Sequence, residues 1–381
     1  TADRGPHTHS GHRVMTTSTS LEQCHAVIHN GMKQGLHLGA QVCVWQGDRC
    51  LADDALGQRR VGEAMTPDTL MAWMSSSKAV TALAVAQQVE AGNLELDKPV
   101  ADVLLDFGQA GKQNITLRHL LTHTGGFRLA RYRYPGDRWT TIIARICAAE
   151  LERDWVPGEK AGYHLSTSWF ILGELVRIVT GQRFADYMRE HVLDPLGMID
   201  GFVGMEHEQF DPRRDRLASM YDTRRGEHKL LDWTSRPRLT AASPGSSGCG
   251  PINQLVRIYR MLLAGGELDG HRILQPETVE LFTAPHREGM FDETFKTEID
   301  FGLGFIRDSK HHGKEQVPYG YGGHASPQSF GHSGSQSSVA FADPAHDLAI
   351  AVGFNGAPGE VAHNDRMHRT LTALYEDLGV A

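Results

Sequence analysis

Ser75 and Lys78 form the only Ser-x-x-Lys motif in the sequence, immediately before a stretch rich in alanine and valine. A serine hydroxyl is a poor nucleophile at its ordinary pKa, so covalent catalysis requires a base within hydrogen-bonding reach. If a helix opens near Ser75, residues three apart share one face, which places Lys78 beneath the hydroxyl. Burial would favour the neutral lysine that accepts a proton, and the helix N-terminus would supply N–H groups for an oxyanion. The motif predicts acyl transfer through Ser75, although two common residues at this spacing also arise by chance.

The composition is that of an ordinary globular protein. The chain has 381 residues, of which 40% are hydrophobic and 22% charged, with a formal net charge of −8. This length suffices for one large core or two lobes, because single cores stop growing at roughly 250–300 residues. Lysine and arginine are scattered, which argues against nucleic acid or an anionic membrane surface as partner. No apolar run reaches the roughly 18–20 residues needed to cross a bilayer. We therefore expect a small-molecule partner, and the oligomeric state stays open.

The N-terminal segment and the cysteines bear on location. Residues 1–20 are rich in histidine, serine and threonine and lack the apolar stretch of a signal peptide, so we interpret them as a disordered or added tail. Whether Met15 is the native start stays open. The five cysteines are odd in number and contain no Cys-x-x-Cys pair, which favours free thiols in a reducing compartment. These features predict a cytoplasmic protein.

Neither a metal site nor a cofactor is indicated by the sequence. The chain has 21 histidines but no His-Glu-x-x-His motif. His311 and His312 lie in a polar segment, where neighbouring side chains usually point apart. We predict no metal site and no cofactor.

Hydrophobic periodicity predicts the elements that must position Ser75 and Lys78. Helical spacing predicts helices over residues 21–34, 75–91, 140–151, 167–180, 184–192, 253–264, 276–282 and 364–378. Alternating and apolar runs predict strands over residues 41–46, 302–305, 338–342 and 348–354. Because the strands come from both ends of the chain, they predict one antiparallel sheet flanked by helices. The predicted fold class is α/β (α+β), with a sheet lobe of residues 21–90 and 251–381 and an inserted, mainly helical lobe of residues 91–250.

Four separated segments carry a resemblance to a known family. They are the Ser75 motif with Thr81, LRHLLTHTGG at residues 117–126, Tyr-His-Leu at residues 163–165 after a Pro-Gly pair, and GHSGS at residues 331–335. In this order they resemble the serine β-lactamase and penicillin-binding-protein superfamily, in particular its class C β-lactamase, family VIII esterase and transacylase branch. The resemblance covers about residues 21–378 and implies the β-lactamase/transpeptidase-like fold.

The resemblance also implies catalytic roles. Ser75 would be acylated, and Lys78 and Tyr163 would share its proton, with Tyr163 passing a proton to the leaving group. The backbone N–H groups of Ser75 and Ser335 would form the oxyanion hole. A phenol flanked by a cation has a lowered pKa, which would suit Tyr163 as a base. A coupled Lys78–Tyr163 pair would make activity rise toward alkaline pH.

The remaining site residues are a fourth catalytic candidate, His332, and four residues that would bind substrate. His332, where many relatives carry lysine, would line the catalytic strand edge with Ser333 and Gly334, and His164 and Leu165 would contact substrate beside the tyrosine. The cavity wall would come from residues 128–134, 289–299 and 316–328. Simpler interpretations stay open: an ordinary half-buried tyrosine at position 163, a loop histidine at position 332, and a solvated face rather than an acid-binding clamp along Arg128–Arg133.

Two departures from the family pattern narrow the expected substrates. Leu165 stands where relatives carry an asparagine that binds the amide side chain of β-lactams and D-alanyl peptides. His332 removes a permanent cation that would hold a substrate carboxylate. We therefore expect an acyl-serine enzyme that cleaves a small-molecule ester or amide. The alternative is a transacylase of secondary metabolism that passes the acyl group to an amine or alcohol. A β-lactamase, a D-alanyl peptidase and an inactive binding scaffold are less favoured.

Overall fold

A computed structural model describes residues 19–314, 316 and 318–380, so residues 1–18 of the predicted tail lie outside the described residues. The helices are α1 Glu22–Lys33, α2 Ser77–Glu90, α3 Leu117–Leu121, α4 Trp139–Ala148, α5 Thr167–Thr180, α6 Phe184–Met188, α7 His207–Phe210, α8 Arg236–Thr240, α9 Ile252–Leu263, α10 Pro276–Thr283 and α11 Glu360–Asp377. The strands are β1 Gly39–Gln46, β2 Arg49–Arg60, β3 Glu63–Ala64, β4 Met71–Met74, β5 Phe202–Val203, β6 Met220–Asp222, β7 Lys229–Leu231, β8 Gly248–Gly250, β9 Glu267–Leu268, β10 His271–Arg272, β11 Phe291–Asp292, β12 Thr297–Glu298, β13 Ile306–Arg307, β14 Phe330–Ser333, β15 Ser338–Asp343, β16 Leu348–Phe354 and β17 Gly356–Ala357. Within this part of the chain no helix has both the length and the apolar character needed to cross a membrane.

The largest sheet confirms the predicted antiparallel sheet built from both ends of the chain. Its strand order is β13-β14-β15-β16-β1-β2-β3, with antiparallel pairing throughout. β1 and β2 form a hairpin, and β16 pairs with the other edge of β1, where Val42 lies opposite Val352. The mixed α/β fold class is therefore confirmed.

Side-chain size alternates along the central strands and explains how both faces pack. Ala340 and Ala342 of β15 lie in the core that contains α2, α5 and α9. The intervening Val339 and Phe341 lie in a second core with α1 and α11. Successive side chains of a strand point to opposite faces, so one strand serves both cores. The alanines leave room for the helices on the face that carries the site.

Helix α2 is buried around its circumference over most of its length, and most of its residues are small or apolar. All its residues from Ser77 to Ala86 are buried. A helix that is hydrophobic on every side is typical of a buried core helix. It opens two residues later than the predicted start, so Ser75 lies in the turn between β4 and α2.

A small sheet ties the strand before Ser75 to the middle of the chain. β4 pairs with β8, and β8 pairs with β5. Residues 91–250 hold helices α3 to α8, as well as the short strands β5 to β8. The division into two lobes at residues 90 and 250 stays a prediction.

The predicted strand at residues 302–305 is wrong. The N–H of Gly302 donates to the carbonyl of Phe305, and Gly304 has a φ of 86°, in the left-handed region. A Cβ at Gly304 would lie 2.8 Å from that of Ala82, so this bend packs directly against α2. The strand begins only at Ile306, as β13.

Candidate active site

A cavity of about 340 Å³ contains most of the predicted site residues. It is lined by Ser75, Tyr163, Leu165, Thr294, Phe295, Ile306, Pro318, Tyr319, His332, Ser333, Gly334, Ser335, Glu360, His363 and Asn364. A larger cavity, of about 480 Å³, lies beside α4 and contains none of the predicted site residues. Chemistry rather than volume therefore selects the smaller cavity.

Ser75 lies in a tight turn that directly follows β4. Met74 has a φ of 49°, a left-handed conformation that strains a residue with a side chain. Ser77 closes the turn, because its hydroxyl donates to the Met74 carbonyl at 2.5 Å and accepts the N–H of Gly248 at 2.8 Å. The turn holds the Ser75 side chain at the cavity.

The amine of Lys78 is fully buried and contacts three oxygens. Nζ lies 2.9 Å from the Ser75 hydroxyl oxygen, 2.9 Å from the Leu165 carbonyl and 2.9 Å from the Gly245 carbonyl. None of the three is a carboxylate, and burial lowers the pKa of Lys78 well below its ordinary value. A neutral amine has two N–H donors and one lone pair. In the neutral form the two carbonyls can accept these donors, so the lone pair would be available to take the proton of the Ser75 hydroxyl.

Tyr163 shares the Ser75 hydroxyl with Lys78. Its ring centroid lies 5.0 Å from Lys78 Nζ, and its phenol is hydrogen-bonded to Ser75. The Tyr163 backbone N–H donates to buried Asp292 at 3.1 Å, and the His123 ring packs on the phenol ring with centroids 4.5 Å apart. Burial raises the pKa of Tyr163, and the hydrogen bond to Ser75 offsets only part of this rise. The lowered pKa expected from the sequence is wrong, because burial disfavours the charged phenolate.

Two serines fasten strand β14 to the nucleophile turn. The Ser76 hydroxyl donates to the His332 carbonyl at 3.1 Å, and the Ser338 hydroxyl donates to the Trp73 carbonyl at 2.8 Å. The two hydroxyl oxygens lie 2.9 Å apart. Gly334 is required at this approach, since a Cβ there would lie 2.2 Å from the Trp73 carbonyl oxygen.

Backbone donors for an oxyanion lie at the same place. In the turns and loops of the described chain, the N–H groups of Ser75 and Ser335 make no backbone hydrogen bond. Both residues line the cavity. The two residues predicted to form the oxyanion hole therefore line one cavity, and the hole itself stays a prediction.

His332 lines the cavity as an uncharged side chain. Burial lowers its pKa to about 3, and the charge of Lys78 would act in the same direction. Nδ1 lies 2.8 Å from the Ser333 carbonyl and so carries the hydrogen. Nε2 is buried and has no hydrogen-bond partner among the described residues. His332 therefore offers a lone pair at the strand edge, not a cation for a substrate carboxylate.

Two groups singled out in the sequence lie away from the cavity lining. His164 is fully buried; its Nδ1 lies 2.8 Å from the Thr167 hydroxyl, and its ring packs on Phe127 with centroids 4.6 Å apart. Arg128 forms an ion pair with the Glu152 carboxylate. Its guanidinium is therefore already paired and is not free to bind an acidic group of a substrate. The wall segment at residues 128–134 does not line the cavity.

Leu165 contributes to the site through both its side chain and its backbone. The side chain is 70% exposed and lines the cavity, while the carbonyl accepts from Lys78. The other two predicted wall segments supply Phe295 and Tyr319, whose rings pack edge to face with centroids 6.1 Å apart. This side of the cavity is therefore aromatic.

Sequence reasoning missed the residues that α11 contributes. Glu360 opens this helix and accepts the Ser335 hydroxyl at 2.6 Å. The predicted helix began at residue 364, four residues too late. An acidic residue directly after Pro358 and Gly359 is a helix-start signal that could have found it.

Comparison with known proteins identifies relatives across most of the chain. The family model described as Beta-lactamase matches residues 25–374. The chain is 26% identical over 330 residues to "Esterase/beta-lactamase LipL" of Mycobacterium tuberculosis, covering 79% of this chain and 72% of that protein. It is 27% identical over 267 residues to "Monacolin J acid methylbutanoyltransferase" of Aspergillus terreus, covering 61% of each protein. The crystal structure of a family VIII carboxylesterase superposes with a TM-score of 0.79 and 25% identity, covering 94% of this chain and 97% of that one.

Proposed function

The chain belongs to the beta-lactamase family, and from this premise we propose that it cleaves an ester or amide bond of a small molecule through an acyl-enzyme at Ser75. One observation carries the proposal: the buried Nζ of Lys78 lies 2.9 Å from the Ser75 hydroxyl oxygen, and none of its three contacts is a carboxylate, so its neutral form can take the hydroxyl proton. A serine activated in this way is a nucleophile rather than a structural hydroxyl. The names of relatives and structural neighbours include esterases.

The proposed reaction uses each group once per acyl transfer. Lys78 takes the Ser75 proton as the hydroxyl oxygen attacks the substrate carbonyl carbon. The N–H groups of Ser75 and Ser335 stabilise the negative charge that develops on the carbonyl oxygen. Tyr163, protonated at neutral pH, donates its hydroxyl proton to the leaving group and is reprotonated from Lys78. Water then attacks the acyl-enzyme, with the same groups acting in reverse.

The charges around the cavity favour neutral or amine-bearing substrates. Its described lining contains the carboxylate of Glu360 and neither lysine nor arginine. His332 is neutral, and Leu165 replaces the amide-binding asparagine of relatives. A substrate carboxylate, as in β-lactams or D-alanyl peptides, would meet a like charge without a cation to hold it. These observations support a neutral ester over either class.

Glu360→Gln tests this charge argument. We expect kcat/KM for a carboxylate-bearing ester to rise about 10- to 30-fold relative to its neutral isostere. Two like charges roughly 8 Å apart repel by about 2 kcal/mol at an effective dielectric constant of about 20. The two substrates are compared by steady-state kinetics at low salt, where screening is weakest.

Glu376→Gln is the matched control, because Glu376 lies on the same helix, is exposed and does not line the cavity. It should leave the substrate ratio unchanged. An unchanged ratio in Glu360→Gln as well would show that Glu360 does not set charge preference. Glu360→Gln also removes a favourable acidic group from the N-terminus of α11, which should lower the free energy of unfolding by about 0.3–1 kcal/mol. Thermal unfolding of both variants measures this loss.

The second candidate function is transfer of the acyl group to an amine or alcohol. The aromatic wall of Phe295 and Tyr319 favours it, since a flat acceptor could stack there and exclude water. A relative named as an acyltransferase adds support. Both functions share the Ser75 acyl-enzyme and differ in the group that removes it.

Partition of the acyl group separates the two functions. The protein is incubated with an activated aryl ester, with and without a panel of primary amines and alcohols, and the products are quantified by mass spectrometry. For a hydrolase we expect free acid to account for turnover under every condition. Amide or ester product that exceeds free acid would establish the transacylase. Absence of both turnover and a covalent adduct would leave only a binding scaffold.

A further inference from the structure

A second cluster of reactive side chains lies outside the active-site lining. His311 Nε2 lies 3.2 Å from Asp300 Oδ2, and His312 Nε2 lies 3.1 Å from Oδ1 and 3.2 Å from Oδ2. The two imidazole centroids are 3.9 Å apart. One donor atom from each of the three residues lies within 4.8 Å of the donor atoms of the other two.

The convergence of these histidines is not explained by local structure. They are consecutive residues of the 3₁₀ turn Lys310–His312, in which neighbouring side chains diverge by about 120° because there are three residues per turn. The sequence-based expectation that they point apart is wrong, since both present Nε2 to one carboxylate. The residue that unites them, Asp300, is distant in sequence and only 3% exposed.

The donor set and its spacing suit a first-row transition metal. Zinc bonds to histidine nitrogen at about 2.0–2.1 Å and to carboxylate oxygen at about 2.0–2.2 Å, so adjacent donors of a tetrahedral site lie about 3.3 Å apart. The nitrogen-to-oxygen distances of 3.1–3.2 Å are close to that value. Two imidazoles and one carboxylate do not suit calcium or magnesium, which prefer oxygen donors. The His311 side chain is 59% exposed, which leaves a fourth position open to water.

The surroundings hold Asp300 in place for such a role. Its carboxylate accepts the N–H of Gly289 at 2.8 Å, and its own N–H donates to the Ser309 hydroxyl at 2.9 Å. The nearby cation Arg287 is already paired with Asp292 at 2.8 Å. Backbone hydrogen bonds therefore orient the Asp300 carboxylate, and Arg287 does not compete with the two histidines for it.

We propose that Asp300, His311 and His312 bind one zinc-class divalent cation that clips together two walls of the active-site cavity. Asp300 follows the β11–β12 hairpin, which carries Phe295. The turn with the histidines is joined to the other wall, because the N–H of Ser309 donates to the Tyr319 carbonyl at 2.7 Å. The ion would cross-link these segments without entering the reaction at Ser75.

The test measures zinc bound by the chelator-treated full chain and by His311→Ala. Dialysis against ZnCl₂ followed by elemental analysis should give one zinc ion fewer in the variant. The difference is the informative quantity, because the chain also contains His7, His9 and His12, which can take up zinc independently. Zinc at about 100 times its Kd should raise the Tm of the wild type by about 3–6 °C and leave His311→Ala unchanged.

His324→Ala is the matched control, since His324 faces a single carboxylate, that of Glu376, at 3.8 Å. It should bind as much zinc as the wild type and show the same Tm rise. Equal stoichiometry in the wild type and His311→Ala, or no zinc-dependent Tm rise in the wild type, would overturn the proposal. His311 is largely exposed, so this variant avoids the folding risk of replacing buried Asp300.

Discussion

Replacement of Ser75 by alanine is expected to abolish the acyl-enzyme and to lower kcat/KM for an activated ester by about 10⁴- to 10⁶-fold. The hydroxyl is the only atom that the proposal asks to bond with substrate, and no neighbouring group takes its place. Lys78, Tyr163 and the oxyanion donors would remain, but without a nucleophile they have nothing to activate. Intact-mass measurement after incubation with the ester should show an acyl adduct on the wild type and none on Ser75→Ala.

The control is Ser20→Ala, which removes an exposed hydroxyl that donates to the Glu22 carboxylate at 3.2 Å. It should keep both the adduct and the rate. An adduct that persists on Ser75→Ala, or a rate within tenfold of the wild type, would assign the acylated residue elsewhere. The alanine removes a single hydroxyl, so the Tm should stay close to that of the wild type.

The parts of the site predicted from the sequence are those with fixed local spacing. The i and i+3 relation of Ser75 and Lys78 needs only one turn of chain, and it holds although the helix begins at Ser77. Tyr163 and the segment Gly331–Ser335 could be located only through the family resemblance. Their separation from Ser75 is closed by tertiary packing, through Ser76 and Ser338, which no local pattern encodes.

The parts not predicted depend on contacts between distant segments. The partners of the Lys78 amine are backbone carbonyls of Leu165 and Gly245, and a carbonyl has no sequence signature. The pKa of Tyr163 was expected to fall because a phenol flanked by a cation is more acidic. Its rise follows from burial, which depends on the whole core.

The fold shows the same division between local and distant information. Long amphipathic or apolar segments such as α5 and β16 have the predicted bounds, because periodicity over many residues is a local property. The apolar run at residues 302–305 was misassigned because its two glycines allow a bend against α2 that periodicity does not reveal. The convergence of His311 and His312 on Asp300 likewise requires a loop geometry that spacing alone does not predict.

Lys78→Met is expected to lower the acylation rate by about 10²- to 10⁴-fold, the usual contribution of a general base. Methionine is close to lysine in length and fits a buried site, but it has no lone pair to take the Ser75 proton. The variant also leaves the carbonyls of Leu165 and Gly245 without their donors, so some loss of stability is expected.

Lys112→Met controls for this loss, because Lys112 is equally buried and also donates to backbone carbonyls, including those of Gln109 and Cys147. It should lower the Tm in a similar way and leave the acylation rate intact; similar rate losses in the two variants would remove Lys78 from the chemistry.

The pH dependence of the wild type gives the same base a second, independent test. Burial lowers the pKa of Lys78, so the neutral, proton-accepting form already predominates at a pH where an ordinary lysine is charged. Activity should therefore be low in acid, rise with pH through the lowered pKa, and be level above it while Tyr163, whose pKa is raised, keeps its proton. The alkaline rise expected from a coupled Lys78–Tyr163 pair is replaced by a rise through the lowered pKa of Lys78. Measurement of kcat/KM across pH decides, because a limb near the ordinary lysine pKa of about 10.4 would mean that Lys78 is charged in the free protein and cannot be the base.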